Sequence, residues 1–111
     1  MSQNQIPTKS SLSPARRRLL ETFQKLNFGR LENLSVSGGE PDFSHPPRLV
    51  RDIKIGAQNG PRPEASSPDF LLRNEFIEFF QHLEQLGNGT VECVEVRHGL
   101  PLKMEVQIQP S

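Results

Sequence analysis

Gly29-Arg30-Leu31-Glu32-Asn33-Leu34-Ser35-Val36-Ser37-Gly38-Gly39-Glu40-Pro41 is the stretch on which the fold turns. Sixty residues later the chain reads Gly89-Thr90-Val91-Glu92-Cys93-Val94-Glu95-Val96-Arg97-His98-Gly99-Leu100-Pro101, identical at five of the thirteen positions. The apolar residues of the first stretch, Leu31, Leu34 and Val36, fall on Val91, Val94 and Val96. Their spacing is that of a strand that changes phase once, as a bulge requires. Gly38-Gly39 and His98-Gly99 then supply turns that send each strand back.

The match extends outward. Upstream, Leu20, Phe23 and Leu26 meet Phe80, Leu83 and Leu86 at helical spacing; downstream, after a seven-residue insertion in the first copy, Leu49, Ile53 and Ile55 meet Leu102, Val106 and Ile108. The insertion holds His45-Pro46-Pro47, which no central strand accommodates because proline cannot donate to the ladder. Turn chemistry alone selects Gly and Pro at hairpins, so convergent spacing and duplication both explain the register.

Local signals give the elements. Ser13-Pro14 reads as an N-cap with proline at the first helical position, opening a helix over about 14–27. Ser67-Pro68-Asp69 repeats that signature before a second helix, whose apolar face is Leu72, Phe76, Phe79, Phe80, Leu83 and Leu86, widened by Phe70 and Ile77. Strands are expected over 29–37, 48–55, 90–97 and 100–109, the last alternating Leu100, Leu102, Met104, Val106 and Ile108 against Lys103, Glu105 and two glutamines. The fold class is therefore α+β: a helix-hairpin-helix-hairpin pseudo-repeat with a four-stranded antiparallel sheet and both helices on one face. Residues 1–12, without apolar periodicity, read as a disordered tail. The domain covers 13–109, in units 13–55 and 67–109 joined by the Gly- and Pro-rich loop 56–66.

The segment from Gly29 to Ile55, with its Phe28-Gly29 helix exit, strand, Gly38-Gly39 turn and basic, apolar return strand, resembles small bacterial proteins of the YezD-like type. The resemblance implies a bacterial origin and a compact α-β-β unit, and no activity.

With 111 residues, one cysteine and equal numbers of acidic and basic side chains, the chain suits one domain. A lone Cys93 excludes an internal disulfide and a cysteine zinc site, and fits a reducing compartment. The polar first eighteen residues lack a signal-peptide core, and no stretch approaches a membrane span, so the expected location is cytoplasmic. The neutral total conceals a split: residues 1–62 carry a net charge of +5 and residues 63–111 one of −5. The halves either attract each other or direct the first toward an anionic partner.

Chemistry-bearing residues are sparse. His45, His82 and His98 stand at no metal-ligand spacing, no phosphate-cradling glycine motif or nucleophile elbow occurs, and Cys93 has no nearby base in sequence. No cofactor, metal or catalytic residue is expected. Arg16, Arg17 and Arg18 form the strongest cluster, since three cations in a first helical turn oppose the macrodipole. With Arg48, Arg51 and Lys54 they make a candidate basic patch, Arg51 being anomalous on a face that alternation gives to the core. Without Trp or Tyr, base stacking is disfavoured. The composition points to a non-catalytic domain that binds a protein partner or itself, with nucleic-acid backbone binding as the alternative and no membrane role.

Overall fold

Helix α1 (Pro14–Leu26) starts where Ser13-Pro14 predicts: the Ser13 Oγ accepts from the Arg16 N–H at 3.2 Å, satisfying one of the donors a helix start leaves open. It stops at Asn27, whose φ of 65° turns the chain out while its N–H still donates to the Phe23 carbonyl at 2.9 Å. The computed structural model describes residues 8–56, 60 and 73–107. Helix α2 (Asn74–Leu86) begins later than the Pro68 signature suggests. Arg73 is extended there, and its carbonyl accepts the Phe76 and Ile77 N–H groups, making it the cap. Ser67-Pro68, Phe70 and Leu72 lie outside the described residues, as do residues 57–59 and 61–66 of the joining loop and the end of the last strand at 108–109.

The sheet is antiparallel: β1 (Gly29–Ser37), β2 (Glu40–Pro41), β3 (Arg48–Arg51), β4 (Gly89–Arg97) and β5 (Leu100–Val106). β1 and β4 pair at the centre, β5 borders β4, and β2 and β3 both border β1. Five strands replace the expected four because the inserted segment cuts the first return limb in two: Pro41 pairs with Val36, the chain leaves the ladder, and it rejoins with Arg48 opposite Glu32. Pro46 and Pro47 cannot donate, and Asp42 stabilises the detour by accepting from the Ser44 N–H and hydroxyl.

The phase change in the central strands is real. Asn33 has a φ of 60°, β4 shifts register between Val91 and Cys93, and Leu31, Leu34, Val36, Val91, Val94 and Val96 are all buried on one face. They join Leu19, Leu20, Phe23 and Leu26 of α1 and Phe76, Phe79, Phe80 and Leu83 of α2 in one core, so both helices cover the same side of the sheet. Phe23 meets Phe79 edge-on at 5.3 Å, an arrangement favoured by the ring quadrupoles.

The outer strands depart from simple alternation. The return strand expected over 48–55 pairs only over Arg48–Arg51, leaving Leu49 51% exposed, Ile53 63% and Ile55 92%. In β5 a register shift pairs Lys103 with Glu95 and Pro101 with Val96, so Leu102 has no partner and is 50% exposed while Pro101 turns inward.

Residues 8–12, assigned to the tail from sequence, are folded onto α1. A 3-10 turn at Lys9–Ser11 buries Lys9, and its Nζ meets Glu21 Oε2 at 2.9 Å. The signal was hidden because a lysine is rarely buried unless paired, and the pairing partner lies twelve residues away in sequence.

Each hairpin turn is closed by the opposite helix. The Gly39 N–H donates to the Gly87 carbonyl at 2.7 Å, and the Gly99 N–H donates to the Asn27 carbonyl at 2.9 Å. The β1–β4 register has the same reciprocity, with Gly29 opposite Val96 and Val36 opposite Gly89.

Candidate interaction surface

The six basic residues singled out from sequence do not form one patch. Arg16 is only 17% exposed in its side chain and sits among acids from both halves, with its Nε 3.0 Å from Glu40, its Nη1 3.0 Å from Glu84 and its Nη2 donating to the Gly39 carbonyl. Its guanidinium also lies over the Phe80 ring. Arg17 donates to the Ser10 carbonyl, and Arg18 stacks 4.3 Å from the Phe43 centroid. The cluster that opposes the helix dipole is thus explained by local partners. Arg51 lies at the other end of α1, donating from Nη2 to the Lys25 carbonyl, about 13 Å along the axis at the rise of an α-helix. Arg48 is opposite Glu32 on the polar face of the sheet, 3.6 Å from its carboxylate, and Lys54 is exposed beyond β3. Arg51 therefore resolves as a sheet-edge residue: among the described residues β3 pairs with β1 alone.

Two grooves flank the sheet at its outer strands. One, of about 350 Å³, lies between α1 and β3 and is lined by Thr22, Lys25, Leu26, Leu49 and Arg51. The other, of about 180 Å³, lies between α2 and β5, where Phe79, Leu102 and Met104 form the apolar part and Glu75, Glu78, His82 and Lys103 the polar part. Leu49 stands opposite buried Leu31, so it faces the helix side, but the edge strand is too short to close over it.

The histidine that a concave site joins to carboxylates is His82, not His45 or His98. Its Nε2 is 3.7 Å from Glu78, and the two side chains are 51% and 75% exposed, so the pair sits at the open surface of the groove. His45 Nδ1 meets the Ser44 hydroxyl, whose proton goes to Asp42, and His98 packs edge-on against Phe28 at 4.8 Å. Hydrogen bonds from Ser44 hold the Asp42 carboxyl below its ordinary range. On the polar sheet face, Arg30 donates to Glu32 at 2.8 Å, which lowers the Glu32 pKa and raises its own. Between these charges Cys93 is half-buried, and its pKa is raised first by desolvation and then by the Glu105 and Glu32 carboxylates. Among the described residues no three His, Cys, Asp or Glu side chains gather as a metal site, and no helix is long and apolar enough to cross a membrane.

The grooves were not legible from sequence. Alternation gives their lining residues Leu49 and Leu102 to the core, and only the packing shows that the edge strands leave both half exposed. No family model, no curated protein and no solved structure matches the chain.

Proposed function

We propose that this chain is a small non-catalytic binding or regulatory domain of bacterial type, working in the cytoplasm through protein-protein contact. The observation that carries the reading is the apolar margin of the β3 edge, where Leu49, Ile53 and Ile55 are exposed beside a strand that, among the described residues, pairs on one side only. Exposed apolar side chains at an open edge are costly and prone to aggregation unless a partner covers them. Backbone binding to nucleic acid draws less support, because Arg16 is saturated by Glu40 and Glu84, and Arg48 lies on a different face from Arg51. The reciprocal turn bonds and central register support a further reading, in which two α-β-β units are related by a pseudo-twofold axis.

The test is site-specific photo-crosslinking in bacterial cells with the reactive group at Ile53, beside a control at Ser35 on the polar sheet face. A discrete protein adduct from position 53 and none from position 35 is expected. Nucleic-acid adducts at position 53, or no adduct there, would overturn the reading.

A further inference from the structure

The two grooves differ in charge and in size, and each has an apolar part. The α1–β3 groove carries Lys25 and Arg51 around Leu26 and Leu49, with no acid among the described residues that line it. The α2–β5 groove carries Glu75 and Glu78 around Phe79 and Leu102, with Lys103 and His82 as its basic groups; Glu75 lies 3.7 Å from Arg73 and Glu78 3.7 Å from His82, both in exposed pairs that leave the carboxylates open to solvent. That lysine is itself engaged by Glu95 at 3.6 Å and Glu105 at 3.8 Å. Arg51 is held at its groove mouth by the bond to the Lys25 carbonyl. The same opposition runs through the sequence, +5 over residues 1–62 and −5 over residues 63–111.

From this complementarity we infer that the partner of the β3 edge is a second copy of the chain, docking its α2–β5 groove on the α1–β3 groove of the first. The inference rests on the protein-contact reading above and names the partner. One molecule cannot join its own grooves, because β3 and β5 border opposite edges of the sheet. A symmetric pairing of like grooves would set Lys25 and Arg51 against their own copies, a repulsive arrangement. Unlike grooves bring Arg51 and Lys25 to Glu75 and Glu78 and place Leu49 beside Leu102. The contact is made by side chains: Pro101 and the unpaired Leu102 interrupt the β5 edge where a continuous ladder would need regular backbone. Such a head-to-tail contact leaves one groove free on each terminal copy, so assembly proceeds beyond a dimer into a ring or an open chain. Grooves of about 350 and 180 Å³ make a contact of limited extent, expected to be weak and concentration-dependent.

Sedimentation of the full chain from low micromolar to near-millimolar concentration tests this, at low and high salt, with circular dichroism to establish folding. Two charge-reversed variants are compared, Lys25→Glu/Arg51→Glu and Glu75→Lys/Glu78→Lys. The native chain is expected to associate beyond a dimer and to lose association as salt rises. Each variant alone should self-associate about tenfold or more weakly, and an equimolar mixture should recover it, because each variant presents the charge the other lacks. A native chain that stays monomeric, variants that associate as well as the native chain, or a mixture without recovery would each overturn the inference. A protein adduct at Ile53 whose mass differs from a multiple of this chain would then preserve the protein-contact reading, whereas no adduct would end both.

Discussion

In the α1–β3 half, the return limb of the hairpin leaves the sheet after Pro41, detours through Asp42 and the two prolines, and rejoins as the short β3. In the α2–β5 half, a single strand runs from Leu100 to Val106. The halves share helices of thirteen residues, central strands of nine and turn glycines in the same places. What differs is how the outer limb meets the helix: Met104 and Val106 pack against the core, while Leu49 is half in water and Ile53 and Ile55 are past the end of the ladder. The backbone frame is thus tolerant of an insertion, and the edge pays in exposure. Side chains diverge at equivalent junctions too. Asn88 Oδ1 accepts from the Gly38 N–H at 3.0 Å at one end, and at the other the Phe28 ring packs against His98. Arg16 of α1 corresponds by position to the buried Phe76 of α2, so an ionic anchor on one side faces an apolar one on the other.

The sharpest test of this contrast is at the strand-opening glycines. A Cβ on Gly29 would lie 2.1 Å from the Val50 carbonyl oxygen, whereas one on Gly89 would meet only the Leu86 side chain at 3.3 Å; both residues hold strongly positive φ. Gly29→Ala should cost about 3 kcal/mol or more and strip hydrogen-exchange protection from β3, and Gly89→Ala about 1–2 kcal/mol from backbone strain alone. Equal losses in denaturant titrations would erase the distinction between the two edges.

A smaller effect is expected at Arg16. Arg16→Ala should destabilise by about 1–2 kcal/mol, and double-mutant cycles should give a larger coupling with Glu40 than with Glu84, whose side chain is the more exposed. Coupling to Glu84 alone would mean that the arginine serves the contact between halves and not its own hairpin.

The mildest contrast is chemical. Cys93 occupies the position that Asn33 holds in the first half, and its thiol should alkylate more slowly than a free cysteine at neutral pH, with a rate profile displaced upward. Removing the Glu105 charge by Glu105→Gln should move that profile back by a small amount, leaving most of the displacement to burial. A profile centred at the ordinary thiol value would contradict the half-buried placement.

Much of the fold was readable because its signals are local. Ser13-Pro14, the Phe and Leu spacing of the helices, the phase change at Leu31 and Leu34 and the turn glycines each act within a few residues. The start of α2 was misjudged because Ser67-Pro68 offers the same cap chemistry as Ser13-Pro14, while the actual cap is Arg73, a residue with no capping preference. The strand count failed because proline's effect on a ladder depends on whether the strand is an edge, which sequence order does not state. The site was least legible of all. The basic residues were grouped by charge, but Arg17 turns to a backbone carbonyl, Arg18 to an aromatic ring and Arg48 to the opposite face, and only packing decides such directions.

The crossed turn bonds also set the pace at which the chain reaches its native state. Gly39 waits for Gly87 and Gly99 waits for Asn27, and the central pairing of β1 with β4 joins residues about sixty apart. Each two-residue turn is closed within its own hairpin by Ser37 opposite Glu40 or Arg97 opposite Leu100, but its glycine N–H finds its partner only when the end of the far helix is in place. Pairings of such sequence separation slow the folding of a chain of this length, because loop closure must come before the contacts that reward it.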